Sequence, residues 1–162
     1  MSWALQRVDD RLIHGQVVVA WGHHLRPRRI WVVDDAAAGN AWERDLLASA
    51  APGVEVRVAT LAEAAGAWAG EAEAEGAAFL LVRSLESALA LLEAGAMFAT
   101  LNLGGVHYAP GRSKVNEYVY LDAADRARAR RLIERGVALV VQDVPASRPV
   151  ALVDLEPELM RA

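Results

Sequence analysis

Short apolar segments alternate with longer helix-favouring segments from one end of the chain to the other, and short loops join them. This order is typical of parallel sheets, because two parallel strands must be joined by a crossover that a helix usually supplies. The sequence therefore predicts an α/β fold in three layers, with an open, mostly parallel sheet and helices on both faces. After residue 104 the alternation is less regular, and a mixed sheet is expected there.

The hydrophobic periodicity predicts where these elements begin and end. Strands are predicted at residues 3–8, 30–34, 54–59, 79–82, 98–103 and 137–142. Helices are predicted at residues 15–25, 41–50, 61–74, 84–94 and 123–135. Residues 115–121 favour a strand, with a loop as the alternative, and residues 150–154 form either a strand or the start of a last turn. Thr60, Ser84 and Asp122 are expected to cap the helices that follow them.

Length, charge and composition limit the classes of function. The 162 residues fit one domain, expected to span residues 1–162. Hydrophobic residues make up 54%, but 33 residues are alanine, so the core must come mainly from Val, Leu, Ile and the five tryptophans. A net charge of −4 argues against nucleic acid as a partner. Because the chain has no cysteine, it offers no disulfide and no thiolate ligand or nucleophile.

No targeting or membrane-spanning segment is expected. The N-terminus lacks a basic region followed by a long apolar stretch. The longest apolar runs fall well short of the roughly 20 residues that a membrane helix needs. These features suit a cytoplasmic protein, and any role at a membrane would have to be exerted through a partner.

Charge is concentrated at the end of the first predicted strand, where residues 7–17 have the sequence Arg-Val-Asp-Asp-Arg-Leu-Ile-His-Gly-Gln-Val. His14 lies between this strand and the first helix. Open α/β sheets bind ligands at that edge, and a helix start favours an anion. An imidazole there is well placed to carry a phosphoryl group. A histidine that is merely exposed, or satisfied in the core, is the alternative.

The neighbours of this histidine fit phosphoryl chemistry. Asp10 is expected to orient the ring by accepting one N–H. Arg11, or Arg7, is expected to pair with phosphate oxygens. Two residues at the helix start complete the predicted phosphate site, one by allowing close approach of the backbone and one by donating a hydrogen bond: Gly15 and Gln16.

An acid pair, Asp34 and Asp35, follows the second predicted strand. Such a pair either binds a metal or a ribose, or caps a turn. Aspartyl-phosphate receiver domains also use an early acid pair, but they need a phosphorylatable aspartate at the end of a middle strand. The third and fourth strands end in Val-Ala-Thr (58–60) and Val-Arg-Ser (82–84), which supply none. The receiver interpretation therefore fails.

Two further segments follow a strand at the same predicted edge. Gly104 and Gly105 permit a tight turn and close approach of the backbone, or simply form a structural turn. The basic loop after them contains Arg112 and Lys114. This loop either meets a phosphoryl group or an acidic partner, or is solvated.

Several common functional motifs are missing from the sequence. It contains no phosphate loop ending in Gly-Lys-Ser/Thr, and no Gly-x-Gly-x-x-Gly after the first strand. It contains no serine-hydrolase nucleophile elbow. His23 and His24 are adjacent and lack a third ligand at helical spacing, so a zinc site is not expected.

Residues 7–17 closely resemble the signature of the IIB subunits of the mannose/fructose/sorbose class of bacterial sugar phosphotransferase systems (PTS). Four more segments are similar to later parts of that family: the second strand with its acidic turn, the approach to the third strand, an Asn-x-Gly-Gly segment, and the loop after it. They are residues 30–35, 51–54, 102–105 and 111–115. In length and order the resemblance covers nearly the whole chain, and the first motif is highly specific.

The resemblance implies a phosphocarrier. The histidine matching His14 would accept a phosphoryl group on Nδ1 from a IIA partner, and the group would pass to sugar entering through the membrane IIC and IID subunits. Asp10 and Arg11 would orient or stabilise the ring, and the surface around His14, Asp35 and Arg112 would be a shared partner interface. Transfer between two histidines is roughly thermoneutral and needs no metal, so no cofactor is expected. The protein would be cytoplasmic and peripherally associated with the transporter.

Two alternatives belong to other classes of function. One is a non-catalytic relative kept for partner binding or for sensing phosphorylation, although the complete first motif favours the enzyme. The other is a nucleotide-binding α/β protein, which lacks the expected glycine fingerprint. The sequence names no sugar, leaves the oligomeric state open and assigns no role to His107 or Tyr108.

Overall fold

A computed structural model describes residues 3–161 and contains nine strands and seven α-helices within them. The strands are β1 (Trp3–Asp9), β2 (Arg29–Val33), β3 (Glu55–Ala59), β4 (Ala78–Val82), β5 (Thr100–Gly105), β6 (Ser113–Lys114), β7 (Tyr120–Leu121), β8 (Ala138–Val141) and β9 (Val150–Ala151). The helices are α1 (Gly22–Leu25), α2 (Asp35–Ala38), α3 (Ala41–Ser49), α4 (Leu61–Glu73), α5 (Leu85–Glu93), α6 (Ala123–Glu134) and α7 (Leu152–Leu155). A π-helix (Gln16–Trp21) runs directly into α1, and a 3₁₀ helix (Pro157–Met160) follows α7.

Seven strands form one sheet in the order β3-β2-β4-β1-β5-β8-β9. All neighbouring pairs are parallel except β8 and β9, which are antiparallel. The expected mostly parallel sheet is therefore confirmed, as is its mixed character towards the C-terminus. Strands β6 and β7 form a separate antiparallel pair.

Two apolar clusters cover the two faces of the sheet, because successive side chains of a strand point to opposite faces. On one face Ile30 and Val32 belong to a cluster with residues of the π-helix, α2 and α3. On the other face Trp31 and Val33 belong to a cluster with residues of α4, α5 and α6. The central strands β2 and β4 are buried along their whole length, as expected for parallel strands covered on both faces.

Three helices begin where their predicted caps lie. The Thr60 side chain accepts from the backbone N–H of Glu63, and the Glu63 side chain accepts from the Thr60 N–H, which completes a capping box. Asp122 forms the same arrangement at α6, and Ser84 caps α5. These predictions are confirmed. The caps occur at these positions because the first-turn N–H groups of a helix have no acceptor within the helix and need one nearby.

The structure adds α2 and β6, which were not predicted, and the helix predicted at residues 15–25 is a π-helix followed by α1. Two further segments also differ from the prediction. Residues 115–121 are mostly irregular, because the Asn116 side chain accepts from the N–H groups of Tyr118 and Val119 and so takes two donors that a strand would use. The fifth strand runs on to Gly105, so Gly104 and Gly105 lie within its last two positions rather than after it.

The strand order makes the boundary between β1 and β5, called the crevice below, a switch point at the carboxyl edge of the sheet. The connection from β1 to β2 covers one face, whereas α5, between β4 and β5, and α6, after β5, cover the other. The chain therefore leaves β1 and β5, which are neighbours, towards opposite faces. Ligands of open α/β sheets bind at such switch points. Within residues 3–161 no helix is long and apolar enough to cross a membrane.

The packing of the aromatic cluster predicts that replacing Trp68 destabilises the protein far more than replacing Trp42. Trp68 is 6% exposed and stacks on Trp3 with ring centroids 4.2 Å apart, whereas Trp42 on α3 is 73% exposed. Trp68→Ala should lower the free energy of unfolding by about 3–5 kcal/mol because it leaves a cavity. The matched Trp42→Ala should change it by less than about 0.5 kcal/mol. Urea titrations followed by far-UV circular dichroism measure both, and equal losses would contradict this packing.

Candidate active site

The crevice between β1 and β5 holds the charged segment that follows β1. Asp9 is the last residue of β1 and pairs with Gly105 of β5, after a shift of register between Val8 and Asp9. The next residue, Asp10, donates its backbone N–H to the Gly105 carbonyl over 3.0 Å. The loop from Asp10 to His14 then leads into the π-helix at Gln16. The histidine therefore lies where the sequence analysis placed it, between a strand end and a helix start.

The buried carboxylate of Asp9 is the centre of the site, and its side chain is 0% exposed. The Nε2–H of His14 donates to Oδ2 over 2.8 Å. Arg11 donates from Nε to Oδ1 over 3.2 Å and from Nη2 to Oδ2 over 3.3 Å. Arg7 donates from Nη2 to Oδ2 over 3.2 Å. One carboxylate thus connects three side chains that lie two or five residues away in the chain.

These contacts keep Asp9 ionised. Burial alone would raise its pKa, but the hydrogen bonds from His14 and Arg11, the charge of His14 when that ring is protonated, and the charge of Arg7 outweigh burial and lower the pKa to about 2. An ionised carboxylate can only accept hydrogen bonds, so the His14 nitrogen that faces it, Nε2, carries the proton. Nδ1 is then the ring nitrogen with a free lone pair.

Arg7 holds the Asp9 carboxylate from the interior of the protein and is fully buried. Its Nη1 donates to Asn102 Oδ1 over 2.6 Å and to the Gln142 carbonyl over 3.0 Å, and its guanidinium lies 5.7 Å from the centre of the Trp21 ring. Burial lowers the pKa of Arg7 against the opposing effect of Asp9. An arginine nevertheless remains charged at neutral pH.

Positions 104 and 105 must be glycine, because Arg7 and Asp9 lie so close to the backbone there that a side chain has no room. A Cβ at Gly104 would lie 1.8 Å from Cζ of Arg7. A Cβ at Gly105 would lie 3.0 Å from Oδ1 of Asp9 and 3.2 Å from Nη2 of Arg11. The predicted close approach is therefore to the protein's own charged side chains.

The loop that carries His14 is held from both sides. Leu12 adopts a left-handed backbone with φ of 58°, which is strained for a bulky residue. Its N–H donates to the Asp9 carbonyl over 3.0 Å, and the side chains of Leu12 and Ile13 are buried in the core under the π-helix. This burial offsets the strain, and it leaves the His14 side chain 16% exposed at the surface.

Arg11 and Gln16 form the exposed rim of the site. The Arg11 side chain is 38% exposed and donates from Nη2 to Gln16 Oε1 over 3.1 Å, in addition to its contacts with Asp9. Gly15 is exposed, and nothing lies within 4 Å of the place where its Cβ would be. Arg11 and Gln16 are therefore joined by a hydrogen bond, and Gly15 lies between His14 and Gln16 in the chain.

Two expectations need correction. The residue that orients His14 is Asp9, because it ends the buried strand with its carboxylate in the crevice, whereas Asp10 accepts from the N–H of His107 over 2.8 Å and from its Nδ1 over 2.6 Å. Arg7 cannot contact a phosphate at the surface, because it is 0% exposed and its donors are used by Asp9, Asn102 and Gln142.

The remaining predicted residues lie further out. Arg112 donates to the His107 carbonyl over 2.8 Å, and Lys114 is exposed in β6. Asp35 lies after β2, two strands away from β1, and accepts from the Leu61 N–H at the start of α4 over 2.8 Å. Its neighbour Asp34 caps α2, which favours the capping interpretation of the acid pair.

Sequence reasoning missed two residues of this site, Asp9 and His107. A signal existed for Asp9, because a charged last residue of a buried strand must find partners at the sheet edge. A weaker signal existed for His107, which is the second residue after the Gly-Gly pair that ends β5.

Comparison with known proteins gives concordant matches over nearly the whole chain. The family described as "PTS system sorbose subfamily IIB component" matches residues 3–160. The sorbose-specific EIIB component of Klebsiella pneumoniae is 33% identical over 155 residues, which are 95% of this chain and 94% of that protein. The crystal structure of the IIBSor domain of the sorbose permease from the same organism superposes with a TM-score of 0.90, at 32% identity and with 100% of each chain covered.

A longer relative shares the same segment. The mannose-specific EIIAB component of Escherichia coli is 32% identical over 156 residues, which are 96% of this chain but only 48% of that protein. The chain described here therefore corresponds to about half of that relative.

Because the backbone at Gly104 lies so close to Arg7, adding one methyl group at position 104 should strongly lower the stability of the protein. Gly104→Ala should lower the free energy of unfolding by about 3 kcal/mol or more, because Arg7 is held by three partners and can yield only by breaking a buried ion pair. The control is Gly70→Ala in α4, where a Cβ has nothing within 4 Å. That change should raise the free energy of unfolding by up to about 1 kcal/mol. Chemical denaturation measures both, and a neutral Gly104→Ala would contradict the geometry.

The low pKa of Asp9 predicts a pH-dependent contribution to stability. The pKa falls from an ordinary 3.8 to about 2 on folding, so the contribution is present above pH 4 and is lost as the pH falls towards 2. The difference in free energy of unfolding between wild type and Asp9→Asn should therefore shrink by about 2 kcal/mol between pH 5 and pH 2. The ¹³C resonance of the Asp9 carboxyl in the wild type should titrate near pH 2. A pH-independent difference, or a midpoint near 4, would contradict this.

Proposed function

The chain belongs to the family of PTS sorbose-subfamily IIB components, which are sugar phosphotransferases, and from that premise we propose that His14 is its phosphoryl carrier. His14 accepts a phosphoryl group on Nδ1 from a phosphohistidine of a IIA partner and passes it to sugar entering through membrane IIC and IID subunits. The proposal treats residues 1–162 as one IIB domain.

One observation carries this proposal, namely the 2.8 Å hydrogen bond between His14 Nε2 and the ionised Asp9. It holds the ring in one orientation and assigns the proton to Nε2, so that Nδ1 is a nucleophile before any partner binds. A positioned nucleophile supplies much of what phosphoryl transfer needs, because little other covalent work is required of the protein.

Asp9 also supports the product. When Nδ1 attacks phosphorus, its lone pair forms the new N–P bond, and the N–P bond of the donor breaks with its electron pair returning to the donor ring. The His14 ring then carries a positive charge, since both of its nitrogens are substituted or protonated. The buried carboxylate at Nε2 stabilises that charge. The same contact remains during the onward transfer, in which the N–P bond at His14 breaks and its electron pair returns to Nδ1.

Arg11 is the group best placed to balance the charge of the phosphoryl oxygens. It is fixed by Asp9 on one side and Gln16 on the other, yet its side chain is 38% exposed. A guanidinium pairs well with phosphate oxygens, and one that is already ordered loses little freedom when it does so. Gly15 and Gln16 offer the helix start to the same oxygens.

The proposed partners follow from the family. An in-line transfer requires two proteins to dock with their reactive groups facing each other. His14 follows β1, and Arg112 and Lys114 follow the neighbouring strand β5 in the chain. We assign the edge of the sheet where β1 and β5 end to the IIA donor and, in turn, to the IIC and IID subunits, with weak and transient contacts. The protein would then work at the cytoplasmic face of the transporter.

Replacing the nucleophile should abolish transfer without unfolding the protein. His14→Ala should gain no phosphoryl group from phosphorylated IIA, as measured by intact mass spectrometry, while its far-UV circular dichroism stays that of the wild type. The control is His24→Ala, at an exposed position in α1, which should be phosphorylated at the wild-type rate. Undiminished labelling of His14→Ala would rule out this residue as the carrier.

A further inference from the structure

His107 repeats, on the neighbouring loop, the arrangement seen at His14. Asp9 and Asp10 are adjacent, and each holds one imidazole: Asp9 holds His14 through Nε2, and Asp10 holds His107 through Nδ1. The second contact is reinforced, because the backbone N–H of His107 donates to the other Asp10 oxygen over 2.8 Å. His107 thus occupies both oxygens of the Asp10 carboxylate.

Asp10 itself is held through its backbone as well. Its N–H donates to the Gly105 carbonyl, and its own carbonyl accepts from Nη1 of Arg83 over 3.3 Å. The side-chain contact with His107 is therefore the third attachment of a residue that directly precedes Arg11. It ties the start of the His14 loop to the segment that follows β5.

The far side of His107 is anchored too. Arg112 donates to the His107 carbonyl over 2.8 Å, and its Nε lies 3.5 Å from Oδ2 of Asp125. Asp125 is buried and forms part of the capping box of α6. A continuous series of contacts therefore runs from the loop of the nucleophile to the first turn of a long helix.

We propose that His107 is a positioning residue for phosphoryl transfer: by occupying the Asp10 carboxylate it fixes the loop that carries Arg11 and His14. This inference rests on the proposed function.

Two substitutions separate this role from direct contact with the phosphoryl group. The amide N–H of an asparagine lies close to the position of Nδ1 in histidine, and that of a glutamine close to the position of Nε2. If His107 acts through Asp10, His107→Asn keeps the essential donor and His107→Gln does not. Both variants keep a polar side chain at a site where the His107 side chain is 54% exposed, so neither should prevent folding.

The experiment measures phosphorylation of the full chain by phosphoramidate, a small donor whose P–N bond breaks to release ammonia as the bond to His14 Nδ1 forms. Rates are recorded over a range of donor concentrations. His107→Ala should lower the maximal rate about 10-fold, since misplacement of a reacting group by a fraction of an ångström has effects of this order. The concentration for half-maximal rate should change less than about 2-fold, because the donor makes no contact with Asp10.

His107→Asn should recover most of the wild-type maximal rate, and His107→Gln should remain as slow as His107→Ala. Asp10→Ala should be slowed at least as much, because it removes the contact with the His107 backbone N–H as well. The double variant Asp10→Ala/His107→Ala should be no slower than Asp10→Ala, because the His107 side chain then has no partner left to lose. The control His24→Asn should react at the wild-type rate.

A His107→Ala protein with an unchanged maximal rate would overturn the inference. Recovery by His107→Gln, alone or together with His107→Asn, would overturn it too, because it would indicate a role for Nε2 instead. These results differ from failure of the proposed function, in which wild type itself gains no phosphoryl group on His14.

Discussion

The site depends on one buried negative charge. Asp9 is enclosed in the crevice between β1 and β5, where an ion without partners would be very costly, and its stability there depends on the three side chains that donate to it. Those partners are what the proposed chemistry needs: an anchor inside the protein (Arg7), an exposed cation (Arg11) and an imidazole with one nitrogen protonated (His14). Satisfying the buried charge therefore also orients His14, the proposed nucleophile, before a partner arrives.

The sheet topology makes this arrangement possible. Strands β1 and β5 are neighbours, yet they lie about a hundred positions apart in the chain, so the loop carrying His14 meets the segment of Gly104, Gly105 and His107 only in the folded protein. The glycines let Arg7 and Asp9 lie against β5, and the strained Leu12 turns the loop towards the π-helix. The contacts between Arg7 and Asp9 are buried, whereas the Arg11 side chain is 38% exposed and the His14 side chain 16% exposed.

Local sequence patterns predicted the fold well because its elements depend on local physics. The caps Thr60, Ser84 and Asp122 satisfy helix N–H groups within three residues, and the apolar runs of β2 and β4 are typical of strands buried on both faces. The strand predicted at residues 115–121 is mostly irregular because the Asn116 side chain competes with strand pairing. A period-two pattern does not reveal that competition.

The site was predicted less completely, because its partners are set by tertiary contacts. Two adjacent aspartates look equivalent in sequence. They differ because Asp9 is the last residue of β1 and contacts His14, whereas Asp10 follows the strand and contacts His107. Likewise the buried position of Arg7 follows from Asn102, Gly104 and Gln142, which are remote in the chain. The central claim, that Asp9 directs the phosphoryl group to one nitrogen of one ring, is tested most directly by two-dimensional ¹H–³¹P NMR of the phosphorylated protein. We expect phosphorus to correlate with Hε1 of His14 alone, as Nδ1 attachment requires; correlation with both ring protons, or with another residue, would contradict the account.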